Sequence, residues 1–236
     1  MRHKSSELTL TVIVLIAVTV AHAAFLRPSQ RQYHADEVWS VWQLRGSQLD
    51  YTRDSNWPPL YYILLDGWQR MVGADPISLR LLSLFIFQLG SACLYRAVRR
   101  IKNTGAARLT VLAFGALALT NYLTVQVRPY ALLYGLFPLT IWLTLRYFDH
   151  PNMRRAGILG LAMAAMFYTG YGSVGAYLML GIYTLIVYQR AVWRWWLPGL
   201  IALIAAAPII YQIAHLAIVR LQPLGAMALP PLLPGL

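Results

Sequence analysis

Long apolar runs alternate with short charged segments along this chain, and the charges mark where each run begins and ends. A helix needs roughly 20 mostly apolar residues to cross a membrane. Runs of about that length recur along most of the chain. We predict transmembrane helices at residues 8–26, 77–98, 109–127, 130–145 and 195–216. Arg80 lies near the start of the second of these, where a long side chain is expected to extend to the interface.

One further apolar segment, residues 156–188, is too long for a single crossing. As one helix it would measure about 50 Å, against a hydrocarbon core of about 30 Å. Arginines flank it on both sides, at positions 154, 155, 190 and 194. Basic flanks favour the same face of the membrane, so the chain must cross an even number of times. We place the break at residues 169–173, which brings the prediction to seven transmembrane helices.

The composition agrees with a membrane protein. The chain is 58% hydrophobic and 12% charged, with a mean hydropathy of +0.53, which is far from the average of soluble domains. The net charge of +12 does not indicate nucleic-acid binding, because the basic residues lie in short loops and form no stripe on a polar face. The single cysteine, Cys93, excludes an intrachain disulfide. We therefore predict an all-α polytopic membrane protein.

The distribution of charge predicts the orientation. With a cytoplasmic N-terminus, twelve basic and two acidic residues fall inside, and eight basic and six acidic residues fall outside. The first loop, residues 27–76, is then exoplasmic, and we expect the inner membrane of a bacterium. The first apolar run also resembles a signal peptide with a cleavage site at Ala21-His22-Ala23, but we expect a retained helix. Residues 1–220 form the predicted transmembrane domain, followed by a Pro-rich tail, residues 221–236.

The first loop concentrates the candidate chemistry, because it holds six of the eight acidic residues. Ionisable groups near lipid are costly and usually functional. Within the loop, residues 36–48 suit a short interfacial helix with carboxylates at its N-terminus, where the helix dipole favours negative charge. Residues 58–72 suit a second interfacial helix, opened by proline.

Four short motifs occur in order along the chain: His34-Ala-Asp36-Glu37-Val-Trp-Ser, Asn56-Trp57-Pro-Pro-Leu-Tyr61-Tyr, Ser78-Leu-Arg80-Leu-Leu-Ser and Val127-Arg128-Pro-Tyr130-Ala-Leu. Together with the predicted topology, they make the chain similar to the N-terminal half of the GT-C glycosyltransferases. The resemblance is to the group of protein O-mannosyltransferases and aminoarabinose transferases. It implies transfer of a sugar from a polyprenyl-phosphate donor to an acceptor on the exoplasmic face, with inversion.

The resemblance also implies roles for particular residues. The aspartate of the family's Asp-Glu pair corresponds to Asp36, which would take the proton of a hydroxyl acceptor, with Glu37 in a supporting catalytic role. A lipid phosphate suits recognition by arginine, and Arg128 is the first candidate. The remaining substrate-binding candidates lie in these motifs or in the same loop: Tyr130, Arg53, Tyr61 and Trp57.

Other interpretations stay open. The related enzymes are usually longer than this chain, which leaves open a fragment of a longer protein. The alternative to an active transferase is a shortened, inactive homologue that serves as a membrane subunit of a larger protein complex. A channel or transporter is less favoured, because the predicted helices carry few polar residues. No metal ligands are assigned, and no cofactor beyond a divalent cation near Asp50 and Asp54, which no ligand spacing supports.

Overall fold

The computed structural model describes residues 2–24, 26, 32–42, 58–117 and 122–226, and within these ranges every regular element is helical. The α-helices are α1 Arg2–Ala23, α2 Ala35–Trp42, α3 Leu60–Val72, α4 Pro76–Ile101, α5 Thr104–Ala116, α6 Tyr130–Asp149, α7 Met153–Phe167, α8 Ser173–Tyr188 and α9 Trp196–Ala226. A 3-10 segment, Gln189–Trp195, joins α8 to α9.

Local signals in the sequence explain where several helices begin. Asp75 precedes α4 and accepts hydrogen bonds from the backbone N–H groups of Ile77 (3.1 Å) and Ser78 (3.2 Å). Asn103 and Asn152 cap α5 and α7 in the same way, each accepting from the N–H three residues later. These side chains satisfy donors that a helix N-terminus otherwise leaves without partners.

Helix α4 is the centre of the fold, because α1, α3, α5 and α6 all pack against it. Its closest neighbour is α6, and the two helices cross where a glycine of one lies against a glycine of the other. A Cβ atom on Gly90 would lie 2.7 Å from the Cα of Gly135, and one on Gly135 would lie 2.6 Å from a side-chain carbon of Ile86. Small residues that allow such close contact are how helices associate in a bilayer.

The C-terminal helices extend this packing through α7. Helix α6 packs on α7, and α7 packs on α9. A Cβ atom on Gly160 would lie 2.7 Å from the Cβ of Ile201, so this contact is also close. Helix α8 contacts its neighbours less, and its residues Leu178, Met179 and Ile186 are 64%, 69% and 68% exposed. These apolar surfaces suit lipid.

Three stretches of the described chain are long and apolar enough to cross a membrane: Pro76–Ile101, Tyr130–Asp149 and Ser173–His215. The apolar part of α1, Glu7–Ala23, is shorter. The prediction of an all-α membrane protein is therefore confirmed within these residues. The number of crossings stays a prediction, as does the orientation of the N-terminus.

Two predicted helix boundaries can be compared directly with the structure. The break predicted at residues 169–173 is confirmed, since α7 ends at Phe167 and α8 begins at Ser173. The single helix predicted at 109–127 is wrong. Helix α5 ends at Ala116, and residues 125–129 form turns. Pro129 disfavours a helical conformation for the residue before it, and side chains from other helices bind the backbone of this turn.

The last helix also differs from its predicted end near residue 216, because the described helix continues to Ala226. The helix therefore includes the first part of the segment predicted as a Pro-rich tail, residues 221–236. Residues 227–236 lie outside the described part of the chain.

The two short helices predicted in the first loop are observed, with different bounds. Helix α2 is described only to Trp42, and the rest of the predicted segment 36–48 lies outside the described residues. Helix α3 begins at Leu60, after Pro59. Its Tyr61, Tyr62 and Leu65 are buried in a cluster with residues of α4, α6 and the preceding turn. Helix α3 therefore belongs to the packed body of the protein.

Candidate functional site

Two acid–arginine pairs lie side by side where α2 approaches α4 and the turn before α6. Glu37 with Arg80 forms what we name the buried pair, and Asp36 with Arg128 forms the open pair. The two acids are consecutive residues of α2. Successive residues of a helix point about 100° apart, so α2 directs one carboxylate into the protein and the other outward.

The buried pair is fully enclosed, with side-chain exposures of 0% for Glu37 and 1% for Arg80. Arg80 donates from Nε to Glu37 Oε1 (2.9 Å) and from Nη2 to Glu37 Oε2 (2.5 Å). This two-bond geometry is the strong form of an arginine–carboxylate interaction. Arg80 Nη2 also donates to the carbonyl oxygen of Gln32 (3.0 Å). The pair thus fixes the segment around α2 to α4.

Glu37 accepts two further hydrogen bonds from the backbone. The N–H of His34 donates to its Oε2, and the N–H of Val127 donates to its Oε1, both at 2.9 Å. Burial alone would raise the pKa of Glu37, but the hydrogen bonds from Arg80 and from these two N–H groups outweigh it. The pKa of Glu37 therefore lies below its ordinary value, and the side chain is a carboxylate in the fold.

The turn before α6 is held by side chains from other helices. Besides the bond from Val127 to Glu37, the hydroxyl of Ser83 donates to the carbonyl oxygen of Gln126 (2.7 Å). The hydroxyls of Ser83 and Tyr61 are 3.3 Å apart. These bonds satisfy buried backbone groups that no helix pairs. They also fix the backbone that immediately precedes Arg128.

The open pair has a different character. The Asp36 side chain is 69% exposed, and Arg128 is 13% exposed. Their side chains are 3.9 Å apart between Nη2 and Oδ2, which is a loose ion pair. Arg128 Nη1 also donates to the backbone carbonyl of Asp36 (3.1 Å), and its guanidinium lies 5.5 Å from the ring centre of Tyr130. An accessible carboxylate thus lies beside a guanidinium that the fold holds in place.

An apolar cavity of about 400 Å³ borders this pair at Tyr130. It runs between α5, α6 and the start of α8, and is lined mostly by apolar and aromatic side chains, among them Phe114, Leu133, Phe137 and Met166. Tyr130 contributes to the cavity and also lies under the guanidinium of Arg128. A charged group and an apolar groove therefore meet at one residue.

The structure brings together Asp36, Arg128 and Tyr130 among the residues predicted from the sequence. Tyr61 is different, because its ring is fully buried in the core and its hydroxyl faces Ser83. No surface of the ring is open in the structure, and its contact with substrate stays a prediction. Arg53 and Trp57 lie outside the described residues, as do Asp50 and Asp54. Within the described residues, no group of three or more metal-binding side chains converges.

Arg80 is the residue whose role the sequence analysis missed. We expected its side chain to extend to the membrane interface, and the structure instead buries it against Glu37. A signal was present, because Arg80 is the one charged residue in the first part of the helix, residues 76–95, and a charged residue in an apolar segment needs a partner. Ser83, one turn further along α4, carried no such signal.

Comparison with known proteins supports the resemblance from the motifs. The model of one family, described as dolichyl-phosphate-mannose-protein mannosyltransferase, matches residues 56–212. The match covers most of the chain and includes α3 to α8 with much of α9, together with the turn that carries Arg128. No curated protein matches the chain.

Proposed function

The chain belongs to the dolichyl-phosphate-mannose-protein mannosyltransferase family of membrane glycosyltransferases of the GT-C type, and from this premise we propose that it transfers a sugar from a polyprenyl-phosphate donor to a hydroxyl acceptor at the exoplasmic face. The open pair beside an apolar cavity carries the proposal. A lipid-linked donor is an anionic phosphate on a long apolar chain, and Arg128 with the cavity matches those two parts.

In this proposal Asp36 is the general base. Its carboxylate takes the proton of the acceptor hydroxyl as the oxygen forms a bond to the anomeric carbon of the sugar. The bond between that carbon and the phosphate oxygen breaks, and the electron pair leaves with the polyprenyl phosphate. Arg128 stabilises the negative charge of the leaving phosphate. The exposure of Asp36 supports this role, because an acceptor reaches the carboxylate without a rearrangement of the core.

We assign Glu37 a positioning role instead of direct contact with the substrate. It is fully buried, and its oxygens are occupied by Arg80 and by two backbone N–H groups. One of those groups belongs to Val127, next to Arg128, so Glu37 orients the arginine of the open pair. In this proposal the reaction takes place at Asp36, and Glu37 positions the groups around it.

The test is a transfer assay with the full chain reconstituted in vesicles. Polyprenyl-phosphate mannose and a hydroxyl-bearing peptide serve as the first substrates, followed by other polyprenyl-phosphate sugars. We expect Asp36→Asn to lower turnover by about 10²–10⁴-fold, because the amide cannot accept the proton. Asp66→Asn is the matched control, since Asp66 pairs with Arg70 on α3 and its loss should leave turnover unchanged.

Two outcomes would contradict this function. Transfer by Asp36→Asn at the wild-type rate would remove Asp36 from its role. Absence of transfer by the wild-type chain with every donor tested would instead favour the alternative of an inactive homologue that acts as a subunit of a larger membrane complex.

A further inference from the structure

A second cavity lies at the opposite end of α6 from the open pair. Its volume is about 520 Å³, and it is lined by Leu143, Arg146, Asn152, Met153, Arg154, Arg155 and Ile158. Arg146 and Tyr130 are separated by 16 positions of one helix, or about 24 Å at the standard rise of about 1.5 Å per residue. This cavity, which we name the arginine pocket, is therefore separate from the candidate active site.

The positive charge of the arginine pocket is not neutralised by carboxylates in the described part of the chain. The guanidinium of Arg146 lies 4.9 Å from the ring centre of Trp142, and Arg155 donates to the carbonyl oxygens of Arg146 (3.2 Å) and His150 (2.8 Å). Arg154 is exposed. The nearby acid, Asp149, is 2.5 Å from Arg100. Three cations thus share a cavity to which the described residues contribute no carboxylate.

The backbone adds to the preference for an anion. Helix α7 begins at Met153, inside the lining of the pocket, and the N-terminus of a helix carries partial positive charge. Asn152 already accepts from the N–H of Arg155. The arginines therefore provide the main attraction for an anion, and the helix dipole adds a smaller attraction of the same kind.

The apolar residues of the lining indicate that the ligand has an apolar part beside its charged group. Leu143, Ile158 and Met153 are apolar residues of the lining, and Met153 is 71% exposed. A cavity lined by both apolar residues and arginines suits an amphiphile that lies along the helices with its charged group at the membrane surface. Guanidinium groups bind phosphate oxygens in paired hydrogen bonds, which an ammonium group cannot match.

We propose that the arginine pocket binds a phosphate group, and that a lipid headgroup of an anionic phospholipid supplies it. Arg146 and Arg154 bind the phosphate oxygens, and Leu143 and Ile158 contact the first part of an acyl chain. The inference stands independently of the proposed sugar transfer, because it uses no residue of the open or buried pair. In the predicted orientation the pocket faces the cytoplasmic leaflet, where anionic lipids attract basic segments.

The experiment measures lipid binding to the purified full chain in detergent, by native mass spectrometry with added phosphatidylglycerol or phosphatidylcholine. We expect the wild type to bind phosphatidylglycerol more tightly. Each arginine removed should weaken that binding about fivefold, so Arg146→Gln/Arg154→Gln should approach the affinity for phosphatidylcholine. The matched control is Arg190→Gln, an exposed arginine outside the pocket, which should bind as the wild type does.

A second arm distinguishes a lipid phosphate from a soluble one. If inorganic phosphate raises the unfolding temperature of the wild type but not of the double variant, and phosphatidylglycerol shows no preference, the phosphate site stands and its ligand is soluble. Equal binding of phosphatidylglycerol by the wild type and the double variant, together with an equal effect of inorganic phosphate on both, would overturn the proposal, and so would an equal loss in Arg190→Gln. Should the double variant fail to fold, Arg154→Gln alone decides, because its exposed side chain makes no hydrogen bond or ion pair within the described residues.

Discussion

The buried pair and the open pair use the same chemical groups, an acid from α2 and an arginine, and differ in their access to solvent. Glu37 and Arg80 are enclosed and joined by two hydrogen bonds. Asp36 is mostly exposed and 3.9 Å from its arginine. A carboxylate whose oxygens are all occupied has little capacity to take a further proton, whereas an exposed one has that capacity. This difference supports the proposal that the buried pair stabilises the fold and that the open pair carries the chemistry.

The largest expected effect comes from breaking the buried pair. Glu37→Gln removes the charge that compensates Arg80, and arginine cannot release its proton to become neutral. Removing one partner of a buried ion pair typically costs about 3–5 kcal/mol. We expect a loss of unfolding free energy in that range, measured by denaturation in detergent. A cost below about 1 kcal/mol, as expected of exposed pairs, would contradict the distinction between the two pairs.

A smaller effect is expected at the arginine of the open pair. Arg128→Lys keeps the charge but loses the planar fork that binds two phosphate oxygens. Hydrogen bonds to charged groups contribute about 1.5–3 kcal/mol, so we expect the KM for the polyprenyl-phosphate donor to rise about tenfold to a hundredfold. Arg70→Lys, at an exposed arginine of α3, is the control and should leave KM unchanged. A fall in unfolding free energy as large as that of Glu37→Gln would instead place Arg128 in the scaffold.

The smallest expected effect is a change in the free energy of unfolding at low pH. The pKa of Glu37 in the fold lies below its ordinary value of 4.5, so the fold favours its ionised form. That stabilisation is complete above the pKa of the unfolded chain and is lost as the pH falls through the folded-state pKa. The difference in unfolding free energy between the wild type and Glu37→Gln should therefore be constant near neutral pH and narrow below about pH 4.5. If this difference in unfolding free energy widens as the pH falls, the pKa of Glu37 is raised in the fold and not lowered.

Much of the helical framework could be predicted from the sequence, because apolar runs and basic flanks are local signals. The break between α7 and α8 follows from such signals alone. The end of α5 could not be predicted in this way. The residues before Pro129 are apolar enough for a helix, but the structure uses them as a turn whose backbone binds Glu37 and Ser83. Those partners are distant in sequence.

Prediction of the candidate site is limited in the same way, because its contacts join residues that are distant in sequence. The motifs were sufficient to select Asp36 and Arg128, which the fold brings together. They also selected Tyr61, which is buried, because a sequence motif does not show how far a side chain is exposed. The proposed division of roles between Asp36 and Glu37 depends on which face of α2 meets α4, and that is decided by tertiary packing.

The difference in accessibility between the carboxylates of Asp36 and Glu37 can be measured directly by chemical labelling. A carbodiimide with an amine nucleophile modifies accessible carboxylates, and fragmentation of the peptide that contains both acids separates Asp36 from Glu37. We predict modification of Asp36 in the folded chain and of Glu37 only after denaturation, as their exposures of 69% and 0% require. Modification of Glu37 in the folded chain at a rate similar to that of Asp36, or protection of Asp36, would contradict the account.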